Sequence, residues 1–178
     1  MYRQIMTFWF EELQPSAWWT KDPQLDEQIR QRFGELHRQA SVGELWRWRA
    51  APEGRLAEII ILDQFSRHIY RDQPGAFAQD AVALVLAQEA LAAGADQQFS
   101  RLKRRFFYMP YMHSESMLIH QQAMELFSAE GMEEDLGFEV RHREIIQRFG
   151  RYPHRNAILG RDSTEAEREF LTQPGSSF

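Results

Sequence analysis

Apolar residues recur along this chain with the spacing of an α-helix, and this periodicity constrains the fold more than any other feature. One face of the segment 22–41 carries Leu25, Ile29, Phe33 and Leu36. Asp22-Pro23 precedes that face as a helix start, because aspartate accepts hydrogen bonds from exposed amides and proline is tolerated in the first turn. Strand signals are almost missing, with no Asn-Gly hairpin turn and no sustained alternation of apolar and polar residues. The sequence therefore predicts an all-α fold.

Similar patterns and their stop signals predict the remaining helices. The predicted ranges are 2–13, 52–70, 77–93, 102–108, 112–129, 139–149 and 162–171. Gly94 and Gly150 end two of them, Pro110 is a predicted hinge, and Thr164 with Glu167 fits a capping box. Short connections favour antiparallel neighbours. We predict a single domain over residues 1–173, an irregular array of antiparallel helices, and a frayed tail over 174–178.

Composition excludes several classes of protein. The net charge of −5 argues against a nucleic-acid or membrane-surface partner. The chain has no cysteine, which rules out disulfides, thiolate zinc sites and cysteine nucleophiles. We find no apolar stretch near the roughly 20 residues that a membrane span needs and no signal peptide, so we expect a cytoplasmic protein. Phosphate-loop, dinucleotide and H-E-x-x-H motifs are absent, so no cofactor and no metal are predicted.

The third predicted helix carries the first set of candidate residues. Asp63 directly follows four large aliphatic residues, so its carboxylate is expected to lose solvent and to need a partner. Arg67 and Arg71 follow one and two helical turns later, on the same face. One interpretation is a fixed ion-pair ladder that sets helix register. The other is an arginine pair, held by Asp63, that receives an anionic group.

Two further stretches carry the other candidates. His113 and Glu115 lie at the predicted start of a helix, where exposed amides favour negative charge. Later in the chain, Gly150 and Pro153 define a rigid corner, which displays Arg151, His154, Arg155 and Asn156. These side chains supply directed donors and one group that titrates near neutrality. The alternative is a corner whose polar groups tie loops together.

These three stretches resemble the motifs of a bacterial family. Leu62 to Arg71 resembles its D-Q-F-P-R-N-x-Y-R segment, although Ser66 and His68 stand where the family shows Pro and Asn. Tyr108 to Glu115 resembles its aromatic-Pro-aromatic-x-H-S-E segment, and Arg148 to Asn156 resembles its R-F-G-R-x-P-H-R-N segment. The family is catalogued as domain of unknown function 924.

That family is placed among folds similar to tetratricopeptide proteins, so the resemblance implies an α-α superhelix and brings no established activity. It also implies that the candidates form one cluster: Asp63, Arg67, Arg71, His113, Glu115, His154, Arg155 and Asn156. We expect a binding module whose Arg/His/Asn-lined concave pocket accepts an anionic small molecule or a peptide carboxylate.

Two alternatives differ in class from a binding module. One is a metal-independent enzyme in which His113 or His154 moves a proton, and Glu115 or Asp63 orients that histidine. The other is a structural or oligomeric protein in which all polar groups are paired internally. The sequence alone does not identify the ligand, a reaction or the oligomeric state.

Overall fold

The computed structural model describes residues 1–177 and confirms the predicted all-α fold, with no β-strand in that range. The α-helices are α1 (Tyr2–Thr7), α2 (Pro23–Ser41), α3 (Pro52–Ile60), α4 (Ser66–Ile69), α5 (Asp80–Ala92), α6 (Arg101–Met112), α7 (Met117–Phe127), α8 (Glu133–Phe149) and α9 (Glu165–Leu171). Two π-helical turns, Phe8–Glu12 and Ile61–Phe65, continue α1 and α3. None of the helices within residues 1–177 is long and apolar enough to cross a membrane.

The chain folds into two compact units. The first unit contains Met1–Arg71 and Gly75–Pro110, and the second contains Asp72–Pro74 and the chain from Tyr111 onward. The single domain over residues 1–173 stays a prediction, and so does the frayed tail. Within that tail, Ser176 is buried and its hydroxyl donates to Leu171 O at 3.2 Å, while Phe178 lies outside the described residues.

The first unit is built on large aromatic side chains. Phe8, Trp9, Phe33, Phe65 and Phe106 are all at most 2% exposed. Neighbouring rings meet edge to face or stacked, with centroid distances of 5.2 Å between Phe33 and Phe65 and 5.8 Å between Trp9 and Phe106. Such rings bury the largest area per residue, so they supply much of the stabilising free energy of this unit.

Local helix signals are confirmed at both ends of the chain. The Asp22 carboxylate accepts a hydrogen bond from Gln24 N at 2.8 Å and caps α2. The predicted capping box of Thr164 and Glu167 is present at the start of α9. Gly150 ends α8 with φ of +69°, the left-handed conformation that glycine adopts without strain.

The predicted hinge at Pro110 is wrong, because α6 runs through this residue and ends at Met112. Proline removes one backbone hydrogen bond of a helix. Here it lies in the last turn, where only that one bond is lost, and the preceding turn is held by packing. Phe106, Phe107 and Tyr108 of that turn are at most 3% exposed.

The second unit has a small core on α8 and the corner that follows it. Ile145, Ile146 and Tyr152 are buried, and Met117, Phe149 and Phe170 pack against them. Helix α8 begins at Glu133 rather than at the predicted position 139. Its first turn is acidic, and acidic side chains stabilise the positive end of the helix dipole.

Candidate functional site

Asp63 lies in the π-helical turn that follows α3. Ile59, Ile60, Ile61 and Leu62 before it are 0% exposed, and Asp63 itself is 1% exposed. Its Oδ2 accepts from Gln64 Nε2 at 2.5 Å, and its Oδ1 lies 3.3 Å from Arg67 Nη1. The carboxylate is thus shielded from solvent and bound by polar side chains, as its place in the sequence predicts.

The fork of Arg67 binds a second carboxylate that the sequence did not single out. Arg67 Nη1 donates to Asp80 Oδ1 at 2.9 Å, and Nη2 donates to Asp80 Oδ2 at 3.1 Å. Nη1 also donates to Asp63 O at 2.7 Å. Asp80 is the first residue of α5, so this bidentate pair links α5 to the turn at Asp63.

Arg71 lies beyond the end of α4 and binds Asp26 of α2. Its Nε and Nη2 donate to the Asp26 carboxylate at 2.5 and 2.6 Å, and His68 Nδ1 lies 2.7 Å from Asp26 Oδ1. Burial raises the pKa of Asp26, but the hydrogen bonds from Arg71 and His68 outweigh burial and the pKa is lowered. A sequence signal existed, because Asp26 lies seven residues before Phe33 and so on the same buried face.

In the second unit, Glu115 receives two arginine hydrogen bonds and one from the backbone. Arg161 Nη1 and Nη2 donate to its carboxylate at 2.7 and 2.9 Å, and Tyr152 N donates at 2.7 Å. Burial raises the pKa of Glu115, but these donors outweigh burial and the pKa is lowered. Arg161 was not a predicted candidate, although it lies only five residues after Asn156.

Arg155 and Asn156 hold the corner through buried hydrogen bonds. Arg155 is 5% exposed, lies over the Tyr152 ring at 4.7 Å and donates from Nη2 to His113 O at 3.0 Å. Asn156 is 0% exposed, and its Oδ1 accepts from Arg161 Nε at 3.0 Å. Both predicted candidates therefore fix the polypeptide in place, the loop-tying interpretation of this corner.

Histidines surround the buried ring of Tyr152. The ring centroids of His120, His142 and His154 lie 6.3, 5.8 and 5.7 Å from that of Tyr152. The Tyr152 hydroxyl donates to Met112 O at 2.5 Å. These contacts lie inside the second unit, and among residues 1–177 no group of three or more histidine and acidic side chains is arranged to hold a metal ion.

His120 belongs to a buried hydrogen-bonded pair. Its Nδ1 lies 2.6 Å from Glu139 Oε1 and its Nε2 lies 2.8 Å from Ser114 O, with His120 and Glu139 both 0% exposed. Burial raises the pKa of Glu139, and the interaction with His120 partly offsets this effect. The pair lies in the core of the unit, so it joins α7 to α8.

The burial of His142 predicts that the stability of the protein depends on pH. Burial, and to a lesser extent the neighbouring His113, His120 and His154, lowers the pKa of His142 to about 3, despite its hydrogen bond to Phe138 O. The unfolded chain binds a proton at His142 below about pH 6.5, but the folded chain does not. The free energy of unfolding should therefore fall as pH drops from 6.5 toward 3, by about 2 kcal/mol at pH 5.

Urea unfolding of wild type and His142→Phe at pH 7, 6 and 5 tests this expectation. The variant should lose about 2 kcal/mol less than wild type between pH 7 and 5. The raised pKa of Glu139 acts in the opposite direction and is common to both proteins. If the free energy of unfolding changes with pH by the same amount in wild type and in His142→Phe, His142 is not the cause of the pH dependence.

A groove of about 400 Å³ lies in the second unit, beside the predicted corner. Its lining consists of Arg148, Phe149, Arg151, Thr164, Ala166 and Glu167. Arg151 Nε and Nη2 donate to the Glu167 carboxylate at 2.7 and 2.9 Å. That interaction lowers the pKa of Glu167 to about 2, so this carboxylate is ionised. Of the lining residues, only Arg151 is a binding candidate predicted from the sequence.

Arg148 differs from the predicted candidate arginines in its surroundings. Its guanidinium lies 4.7 Å from the Phe149 ring centroid and 5.8 Å from that of Phe170. Within residues 1–177 it forms no ion pair and no hydrogen bond to a carboxylate. The groove is therefore lined by a positive charge that has no carboxylate partner among the described residues.

A second concavity, of about 550 Å³, lies along α2. Its lining consists of Pro23, Gln24, Glu27, Gln28, Gln31 and Arg32. Arg32 donates to the Glu12 carboxylate at 2.6 and 3.1 Å, and Glu27 accepts from Arg30 at 2.5 Å. All its lining residues come from one helix, so no second element converges on a ligand there.

The fold and these ion pairs define an all-helical protein whose candidate arginines are mostly held by internal carboxylates. Residues 5–175 match the model of the family described as bacterial protein of unknown function (DUF924), and the chain belongs to this family. A similar solved structure is the protein of unknown function ATU0120 from Agrobacterium tumefaciens. It is 38% identical, is matched over 96% of both chains and has a TM-score of 0.91. None of the curated proteins matches the chain.

Proposed function

We propose that this protein is a binding module for an anionic small molecule or a peptide carboxylate, and that Arg148 is the principal contact in the second unit. The observation that supports this proposal most is the lack of a carboxylate partner for Arg148 within residues 1–177. Arg148 also lines a groove of about 400 Å³, a volume in the range of small-ligand sites.

Four other arginines in or near the predicted motifs are already paired with carboxylates. Arg67 binds Asp80, Arg71 binds Asp26, Arg151 binds Glu167 and Arg161 binds Glu115, each through two hydrogen bonds. An incoming anion that used the two-donor edge of any of these arginines would have to displace a well-placed carboxylate. At Arg148 no carboxylate of the described part of the chain has to be displaced, so binding there retains more of its free energy.

The aromatic rings of Phe149 and Phe170 support the guanidinium of Arg148. The ring centroids of Phe149 and Phe170 lie 5.1 Å apart, and both side chains pack against the core of the second unit. A guanidinium that rests on aromatic rings keeps its N–H edge available for an anion. A side chain that already contacts these rings loses less conformational entropy when it binds a ligand.

The wider cluster remains part of the proposal. We propose that the two sets, Asp63 with Arg67 and Arg71, and His113 with Glu115, His154, Arg155 and Asn156, serve one binding function in a cytoplasmic protein. In this account their buried hydrogen bonds hold the backbone and Arg148 receives the ligand. The alternative of an acid–base enzyme has less support, because the two concavities described above have no histidine in their linings.

Replacement of Arg148 by glutamine should reduce anion affinity about tenfold or more, since a hydrogen bond to a charged group contributes roughly 1.5–3 kcal/mol. Calorimetric titration with acetate and with inorganic phosphate at low ionic strength measures this loss. The wild-type affinity for either anion should fall as salt is added.

Arg141→Gln is a matched control for this experiment. Arg141 is also on α8, is exposed and lies 4.6 Å from the Phe138 ring centroid, but it does not line the groove. It should bind anions like wild type. Equal affinities of wild type and Arg148→Gln for every anion tested would remove Arg148 from the proposal.

A further inference from the structure

We infer that the groove at Arg148 selects a monocarboxylate with an apolar group next to its carboxyl, in preference to phosphate. This inference rests on the proposed function, because it specifies the ligand of the same groove. Three properties of the lining support it: its net charge, its donors and its apolar floor.

The charge of the groove matches a single negative charge. Arg148 and Arg151 are positive and Glu167 is negative, so the lining has a net charge of +1. The neighbouring chain adds the exposed acidic residues Asp162, Glu165 and Glu169 and the exposed Arg168. Inorganic phosphate at neutral pH is a mixture of the monoanion and the dianion, and its dianion is repelled by these carboxylates more strongly than a carboxylate with one charge.

The available donors suit a planar ligand group. Arg148 offers its planar fork, which matches the two oxygens of a carboxylate. Arg151 uses Nε and Nη2 for Glu167 and Asp162 O, so its Nη1 makes no hydrogen bond within residues 1–177. The exposed Thr164 accepts from Glu167 N at 3.2 Å, which leaves its hydroxyl proton for a ligand oxygen.

The floor beside these donors is apolar. Phe149 and Ala166 line the groove, and the partly buried Phe170 packs against Phe149. Apolar groups of a ligand gain free energy when they cover such a surface, whereas a free phosphate gains none. A short fatty acid or the last residue of a peptide with an apolar side chain has the required chemistry.

Nuclear magnetic resonance titrations of the full chain with hexanoate, acetate and inorganic phosphate test the inference. Hexanoate should bind about tenfold more tightly than acetate, because part of its four extra methylene groups is buried. It should also bind more tightly than phosphate. Both differences should disappear in Arg148→Gln, and Arg141→Gln should behave like wild type.

Arg148→Lys separates the role of the fork from that of the charge. We expect its hexanoate affinity to fall and its phosphate affinity to stay close to wild type, since lysine keeps the charge but loses the planar fork. If phosphate binds wild type as tightly as hexanoate and requires Arg148, the inference is wrong and the proposed function stands. If no anion perturbs Arg148, both are wrong.

Discussion

Gly54→Ala should lower the free energy of unfolding by about 3 kcal/mol, the upper part of the range for overpacked interiors. Gly54 lies in α3, and a Cβ built on it would stand 2.0 Å from Trp48 O and 2.7 Å from Trp48 C. Both atoms belong to the backbone, so no side-chain rotation relieves the overlap. The melting temperature should fall by roughly 10 °C.

The control substitution should change the free energy of unfolding in the opposite direction. Gly34 lies within α2, and a Cβ there would meet no atom within 4 Å. Gly34→Ala should therefore raise the free energy of unfolding by about 0.5–1 kcal/mol, because alanine favours the helix. Urea unfolding followed by circular dichroism measures both variants. A Gly54→Ala protein as stable as wild type would contradict the close contact between α3 and Trp48.

Asp26→Asn should lower the free energy of unfolding by about 3 kcal/mol. The substitution removes the buried negative charge to which both Arg71 and His68 are hydrogen-bonded. Asp26 is only 7% exposed, so water cannot replace the lost interaction. The substitution preserves the shape of the side chain, which confines its effect to charge and hydrogen bonding. Chemical unfolding at pH 7 provides the measurement.

The adjacent residue supplies the control. Glu27 is on the same helix and also binds an arginine, but it and Arg30 are about half exposed. Exposed ion pairs contribute little, so Glu27→Gln should unfold at the same urea concentration as wild type. Equal stabilities of Asp26→Asn and Glu27→Gln would mean that the Asp26 pair adds nothing to this fold.

The parts of the fold that follow from neighbouring residues could be predicted from the sequence. Asp22 caps α2, Thr164 and Glu167 form a capping box, and Gly150 ends α8, because each signal acts within a few residues. Pro110 misled the prediction, because local chemistry favours a break there and the packed aromatics that keep α6 continuous depend on the tertiary structure.

In the candidate site, too, the features that depend on neighbouring residues could be predicted and those that depend on distant residues could not. The sequence indicated a buried Asp63 from the apolar run before it, but it did not indicate the carboxylates that bind the arginines. Arg71 and Asp26 are separated by 45 residues, and Arg161 and Glu115 by 46, so the pairs exist only after folding. Arg148 was part of a recognised motif, but its role depends on a groove that includes residues of α9 and the residue before it.

Arginine side-chain nuclear magnetic resonance during a titration with hexanoate tests whether Arg148 receives the ligand. We predict that the chemical shift of the Arg148 Nε–Hε group changes with hexanoate concentration and reaches a plateau. The chemical shift of the same group in Arg161 should not change, because Arg161 is bound to Glu115 through two hydrogen bonds. An unmoved Arg148 resonance, with or without a shift at Arg161, would contradict the assignment of this groove as an anion site.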